Sequence, residues 1–203
     1  MDYGQNHPFG VTYGEPIPSE NEIWRDETVY RMAVGAKLDA TDLEAGMVID
    51  RGCPLCVNLK TRIAKPVKNV RVVEAASDAD TTLKIAKGSL VKAGEYIGDG
   101  SKKAQISSID KSKASYDTLT LAATLGVAIA VNAVLHQCTS ASAKASQTAN
   151  FMNYRRVQVL PASSRKQTLA FVGRAYEIEN LKLTNPCSES DKTALGARFL
   201  FIN

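Results

Sequence analysis

Apolar and polar residues alternate over short runs in the stretch from Thr82 to Gln137. Turn residues separate the runs at Lys87-Gly88, Ala93-Gly94, Gly98-Asp99-Gly100, Asp110-Lys111 and Gly126. Successive side chains of a β-strand point to opposite faces of the sheet, so this pattern predicts a series of short antiparallel strands. Similar runs at 53–62, 65–76, 154–160, 167–178 and 198–202 extend the prediction to a mainly β fold. We expect an antiparallel β-sandwich or barrel with one or two short helices.

Two local patterns predict where the chain turns and where it forms a helix. A loose seven-residue pattern recurs at 43–49, 91–97 and 129–135, and each copy contains a Gly or Asn that can adopt a positive φ. Each copy therefore predicts a turn that returns a strand to the core. Ser188, with Asp191 three residues later and Gly196 beyond, predicts a short helix with a capping box that ends at the glycine.

The charge of the chain is unevenly distributed. The 203 residues carry a formal net charge of +4, yet residues 1–30 contain six acidic residues and one basic residue, a charge of −5. The remainder therefore carries +9. An acidic segment beside a basic body indicates that the segment lies on another basic surface, folds back on its own body, or is a solvated tail.

Residues 1–30 are interpreted as an extended N-terminal arm, and residues 31–203 as a β-rich body that trimerises. Three prolines, Pro8, Pro16 and Pro18, favour extended backbone over a helix in this arm. The arm nevertheless holds more large apolar side chains than a disordered tail usually does: Tyr3, Phe9, Tyr13, Ile17, Ile23, Trp24 and Tyr30. We expect the arm to become ordered by docking, either on a partner or over its own core.

The sequence contains four cysteines, and two of them form a Cys-x-x-Cys pattern at Cys53 and Cys56. A redox motif of this kind places its first thiol at a helix N-terminus, but a strand pattern follows here. A zinc site requires about four ligands, and the remaining candidates, Cys138, Cys187, His7 and His136, are isolated in sequence. With no signal peptide, we expect a cytosolic site of synthesis and free thiols in structural positions. A small thiol or metal-dependent enzyme using Cys53 and Cys56 is the alternative.

No other segment has a catalytic pattern. His136 follows an apolar strand without a nearby serine or carboxylate motif, and the glycines from Gly94 to Gly100 lack a P-loop ending. The basic pair Arg155-Arg156 has no run of aromatic residues around it that would form a nucleic-acid platform, so we interpret the pair as solvated strand positions or subunit contacts. We predict no catalytic residue, no cofactor, no metal, no nucleic-acid partner and no membrane span.

Several segments resemble the head fiber proteins of tailed bacteriophages, with the closest similarity to those of crAss-like phages that infect gut Bacteroidetes. The resemblance is carried by Val70–Ala76, Leu83–Leu90, Ile109–Ser112, Tyr116–Leu121, Ala133–Leu135, Gly173–Ile178 and Leu195–Ile202. It extends roughly over residues 66–203 and more loosely over the arm. These segments are typical of a fold and contain no catalytic signature.

The resemblance implies a non-enzymatic virion protein, made in the cytoplasm of a bacterial host and attached as a homotrimer to the capsid surface. Its expected partners are the major capsid protein or other capsid proteins, whereas a host-surface glycan has no support in the sequence. Capsid docking is assigned to the large apolar residues of the arm: Tyr3, Phe9, Tyr13, Ile17 and Trp24. A capsid decoration or cementing protein is the alternative within the same class.

Overall fold

The computed structural model of the chain describes residues 23–24, 26–161 and 167–202. Its strands are β1 Tyr30–Arg31, β2 Ala36–Leu38, β3 Val48–Ile49, β4 Pro54–Asn58, β5 Ile63–Pro66, β6 Asn69–Arg71, β7 Thr82–Ile85, β8 Tyr96–Gly98, β9 Lys103–Asp110, β10 Asp117–Leu121, β11 Val134–Cys138, β12 Phe151–Asn153, β13 Val157–Gln158, β14 Thr168–Leu169, β15 Phe171–Glu179 and β16 Phe199–Ile202. The helix α1 spans Glu189–Leu195, and short 3₁₀ helices include Asp26–Thr28, Asn180–Lys182 and Gly196–Arg198. The predicted mainly β fold is confirmed, and the stacked sheets are consistent with a sandwich.

A six-stranded antiparallel sheet is built from one continuous part of the chain. Its strand order is β6-β11-β8-β9-β10-β7, so the stretch from Thr82 to Gln137 supplies all of its strands except β6. Along β10, residues alternate between buried and partly buried, and both Leu83 and Leu119 lie in the core of this sheet. The strands predicted from the alternating pattern are therefore confirmed.

An eight-stranded sheet contains all the remaining strands except β3 and β13, in the order β1-β15-β12-β4-β5-β2-β14 with β16 also paired to β15. The strands β3 and β13 pair with each other in a separate two-stranded sheet. Two pairs of the eight-stranded sheet, β2–β5 and β15–β16, are parallel, which the antiparallel prediction did not include. Neighbouring residues on its central strands enter different core clusters: Phe151 and Phe171 pack in one, Met152 and Val172 in the other. Both faces of this sheet are therefore buried.

Burial of both faces explains a misplaced strand prediction. The sequence predicted a strand over 154–160, whereas β12 ends at Asn153 and β13 contains only Val157–Gln158. All three residues of β12 are buried, so the strand has no alternation to reveal it. The strand β12 therefore ends before the predicted range begins, and β13 is the part of that range that forms a strand.

The three copies of the seven-residue pattern form the same turn. Their third turn residues, Gly46, Gly94 and Asn132, have φ values of 90°, 88° and 66°. In each copy the following amide donates to the carbonyl three residues earlier: Met47 to Glu44, Glu95 to Lys92 and Ala133 to Ala130. The turns lead into β3, β8 and β11, so the prediction is confirmed for all three copies.

The predicted capped helix is α1. The side chain of Ser188 accepts from the Asp191 amide, the Asp191 side chain accepts from the Ser188 amide, and Gly196 ends the helix with φ 62°. The same Asp191 carboxylate accepts a hydrogen bond from Asn69 Nδ2 at 2.7 Å and from the Ala149 amide at 2.8 Å. One carboxylate therefore ties the helix to β6 of the six-stranded sheet and to the chain that enters β12.

The boundary of the N-terminal arm lies earlier than the sequence predicted. Ile23 and Trp24 are 3% and 2% exposed and belong to a core cluster beneath the eight-stranded sheet. The Ile23 carbonyl accepts from the Glu179 amide at 3.1 Å, and β1 pairs with β15. The part of the predicted arm from residue 23 onward, as far as the structure describes it, therefore packs on the body. Residues 1–22, called the N-terminal segment below, lie outside the described residues.

Candidate interaction surface

Basic and aromatic side chains gather where β1, β15 and the end of β12 lie side by side. We call this group the arginine–tyrosine surface, and it consists of Arg31, Tyr154, Arg155, Arg156, Arg174 and Tyr176. Its four arginines are exposed, and its two tyrosines are partly buried. The pairing of Tyr30 with Arg174 and of Arg31 with Val172 brings β1 and β15 together at this surface.

The arginines of this surface are held over tyrosine rings. The guanidinium carbons of Arg31 and Arg155 lie 5.6 Å and 5.7 Å from the centroid of the Tyr154 ring. That of Arg174 lies 5.6 Å from the centroid of the Tyr176 ring. These distances fall within the ~6 Å range of cation–π attraction. The rings therefore orient the guanidinium groups and leave their N–H donors available.

The surface lacks acidic partners within the described part of the chain. The described ion pairs join other residues, such as Lys84 with Glu74 and Lys182 with Glu179. None of the four arginines of the surface belongs to one. The guanidinium groups of this surface therefore form no ion pair with a described carboxylate, which suits a carboxylate-bearing ligand.

Arg155 and Arg156 were interpreted from the sequence as solvated strand positions or subunit contacts. That interpretation missed the surface because its residues come from three separated parts of the chain. The tyrosine that stacks on Arg155 precedes it directly, so the dipeptide Tyr154-Arg155 was the available local signal. The contact between the Tyr154 ring and Arg31 depends on the long-range pairing of β1, β15 and β12.

Of the residues assigned to capsid docking, the structure describes only Trp24. The side chain of Trp24 is buried, and the Arg51 guanidinium lies 5.2 Å from its ring centroid. A side chain enclosed in the core of its own chain does not present a docking surface, so Trp24 is withdrawn from that assignment. Tyr3, Phe9, Tyr13 and Ile17 lie outside the described residues.

Large apolar side chains are exposed on the outer strands of the eight-stranded sheet. Leu200 and Ile202 on β16 are 55% and 42% exposed, and Tyr30 on β1 is 63% exposed. Within the described residues, β1 and β16 each pair with β15 and with no other strand. Among the described residues, neither strand has a partner on its other side, and exposed apolar side chains lie beside both.

The cysteines occupy structural positions. Cys53 and Cys187 are each 1% exposed, and burial raises the pKa of both thiols well above its ordinary value. Burial also raises the pKa of Cys56, which lies within β4 and pairs in register with Lys65. A strand follows Cys53, as the sequence indicated, and no helix N-terminus lowers its pKa. These thiols are protonated and poorly nucleophilic at neutral pH.

His136 lines a cleft of about 470 Å³ between the six-stranded sheet and α1, together with Asp99 and Ser188. A ring nitrogen of His136 lies 2.9 Å from the Ala143 carbonyl oxygen, and the Ser188 hydroxyl donates to Asp191. Asp99 accepts the amides of the turn that follows it, which lower its pKa against the opposing effect of burial. Each candidate catalytic group in the cleft thus has a structural partner.

Within the described residues, no three His, Cys, Asp or Glu side chains lie together as a metal-binding group. No helix in this part of the chain is long and apolar enough to cross a membrane. No protein-family model matches the chain, and no curated protein or solved structure matches it.

Proposed function

We propose that this chain is a non-enzymatic structural protein of a bacteriophage virion, a head fiber that assembles as a homotrimer on the capsid surface. The observation that carries the proposal is the β16 edge, where Leu200 and Ile202 are exposed and no strand other than β15 pairs with β16 among the described residues. It is supported by the resemblance of residues 66–203 to head fiber proteins and by the structural partners of each candidate catalytic group.

Exposed strand edges favour assembly. An edge strand offers unpaired N–H and C=O groups that invite pairing with another chain, and stable monomers usually cover it or place charges on it. On β16 the two outward side chains are Leu200 and Ile202, which are apolar. A closed ring of copies would bury these edges without leaving a free end for further addition.

Light scattering on the purified full chain at micromolar concentration tests the assembly. We expect a mass near three times 21.9 kDa for the wild type. Leu200→Arg adds a charge on the β16 edge and should shift the mass toward a monomer. Val131→Arg is the matched control, because Val131 is 52% exposed but lies in the turn before β11. A monomeric wild type would contradict the trimer and favour a decoration subunit that assembles only on the shell.

Attachment to the capsid is assigned to the N-terminal segment. Deleting residues 2–22 should abolish binding to purified capsids and leave the trimer intact, since residues 23–24 and 26–31 pack on the body. A co-sedimentation assay with full-length and truncated protein measures this. The anchor assignment is wrong if the truncated trimer sediments with capsids as well as the full chain does.

A further inference from the structure

The arginine–tyrosine surface and the N-terminal segment carry opposite charges of equal size. The surface has four arginines with no acidic partner among the described residues. The segment contains four carboxylates and no Lys or Arg, a formal charge of −4, and the acids are Asp2, Glu15, Glu20 and Glu22. Guanidinium groups bind carboxylates through paired N–H donors, which makes the segment a chemically suitable ligand.

The segment joins the described chain close to this surface. Ile23 is hydrogen-bonded to Glu179, the last residue of β15, and the same strand carries Arg174 and Tyr176. At ~3.3 Å per residue, the five positions from Glu179 back to Arg174 span only about 17 Å. An extended segment of this length reaches up to ~70 Å. The segment of one chain can therefore reach the surface of that same chain.

The composition of the segment suits this contact. Its prolines at positions 8, 16 and 18 favour extended backbone, which presents side chains along a surface at low ordering cost. Its aromatic residues Tyr3, Phe9 and Tyr13 provide apolar area, and the partly buried rings of Tyr154 and Tyr176 provide apolar area on the surface. Tethering keeps the local concentration of the segment in the ~mM range, so individually weak pairs suffice for occupancy.

We propose that residues 1–22 dock on the arginine–tyrosine surface of their own chain in the free protein. The contact goes beyond the capsid role and does not depend on it, because it concerns the protein before any partner is met. Since the arginines are exposed, the contact is held by solvent-accessible ion pairs and weakens as salt shortens the screening length to a few ångströms.

Limited proteolysis of the full chain tests the contact. Chymotrypsin cuts after Phe9 and Tyr13, and mass spectrometry measures the rate at which the N-terminal fragments appear. We compare the wild type with Arg155→Gln/Arg156→Gln/Arg174→Gln. The matched control is Lys102→Gln/Lys111→Gln/Lys113→Gln, which removes the same charge from exposed positions in loops of the six-stranded sheet.

At low salt (about 20 mM) the arginine variant should release these fragments at least about fivefold faster than the wild type and the lysine control. At about 0.5 M salt all three rates should converge. Glu15→Gln/Glu20→Gln/Glu22→Gln leaves the body unchanged and should match the arginine variant, which guards against an effect of misfolding. Equal rates for the wild type and both surface and segment variants at low salt would overturn the proposal.

A disulfide trap identifies which chain supplies the segment. Glu20→Cys combined with Arg174→Cys should cross-link under mild oxidation and run as a monomer on a non-reducing gel. Glu20→Cys with Lys111→Cys is the control, and it should cross-link much more slowly. A dimer or trimer band from the first pair would overturn docking within one chain and assign the segment to a second copy.

Discussion

At the scale of single residues, the Asp191 carboxylate accepts more hydrogen bonds than any other described carboxylate. It is fully buried and accepts from Asn69 Nδ2, the Ala149 amide, the Ser188 amide and the Ser188 hydroxyl. Asp191→Asn removes the charge and turns an NH₂ group toward donors, so it should lower the free energy of unfolding by about 3 kcal/mol. Urea denaturation measures this loss.

Glu189 provides the control for that substitution. It lies on the same helix, and its side chain is 88% exposed in an ion pair with Lys192. Glu189→Gln should change the free energy of unfolding by less than about 0.5 kcal/mol, because exposed pairs contribute little. Similar losses in the two variants would show that Asp191 acts only through the helix charge and not through its buried donors.

The thiols give a second prediction for single residues. Because burial raises the pKa of all four cysteines, little thiolate forms at pH 8 in the native state. Ellman's reagent should react slowly with native protein, first at the half-buried Cys56, and rapidly with all four thiols in denaturant. Cys56→Ser should remove the first native phase. A rapidly reacting Cys53 would instead support the thiol-enzyme alternative.

The same burial predicts how stability depends on pH. The buried thiols of Cys53 and Cys187 stay protonated above 9.0, the ordinary cysteine pKa, whereas the unfolded chain loses those protons. Their contribution is fully present below pH 9 and is lost as the pH rises, by up to ~1.4 kcal/mol per pH unit for each thiol. Cys53→Ala should reduce the slope of unfolding free energy against pH above 9. An unchanged slope would contradict this assignment.

At the scale of elements, the repeated turn depends on one residue with positive φ. Gly94 has φ 88°, and an added Cβ would meet no atom within 4 Å, so only backbone strain opposes a substitution. Gly94→Ala should therefore cost about 1 kcal/mol in unfolding free energy. Gly94→Asn should cost less, because the chain itself places Asn132 at the same position of the third turn. Thermal unfolding of both variants measures the difference, and an equal loss would contradict the strain argument.

The sequence predicted strands that are buried on one face better than strands that are buried on both faces. Strands such as β10 face a core on one side only, so their alternation was visible, and the turns and cap of α1 have fixed residue requirements. The strands β12 and β15 are buried on both faces over Phe151–Met152 and Phe171–Val172, which removes the alternation. The parallel direction of β16 beside β15 depends on long-range packing and has no local signal.

At the scale of the whole molecule, the candidate interaction surfaces are products of chain topology. The arginine–tyrosine surface exists because β15 brings β1 and the end of β12 together across more than a hundred residues of sequence. The charge imbalance between arm and body was visible in the sequence, and it left open whether the acidic segment lies on another basic surface, folds back on its own body or is solvated. The location of the basic surface could be found only from the pairing of β15 with β1 and β12, because no local sequence pattern joins Arg31 to Tyr154.

A buried ion pair lies beside the segment that joins β5 of the eight-stranded sheet to β6 of the six-stranded sheet, and it gives the last prediction. Lys68 is 3% exposed; its Nζ donates to the Asp42 carbonyl at 2.7 Å and pairs with the Glu95 carboxylate. Glu95 lies in the turn before β8, so the lysine links the six-stranded sheet to the chain that precedes β3. Removing one partner of such a pair leaves an uncompensated buried charge and costs about 3–5 kcal/mol.

Glu95→Gln should therefore lower the stability of the six-stranded sheet relative to the rest of the molecule. The single tryptophan, Trp24, packs beneath the eight-stranded sheet and reports on that part alone, whereas far-UV circular dichroism reports on both sheets. In urea, the two signals should change together for the wild type, and the dichroism should change first for the variant. Glu74→Gln is the control, because it breaks an exposed pair with Lys84 in the six-stranded sheet and should keep the transitions coincident. Coincident transitions in Glu95→Gln would mean that the remaining contacts, such as Asn69 with Asp191, are sufficient to hold the sheets together.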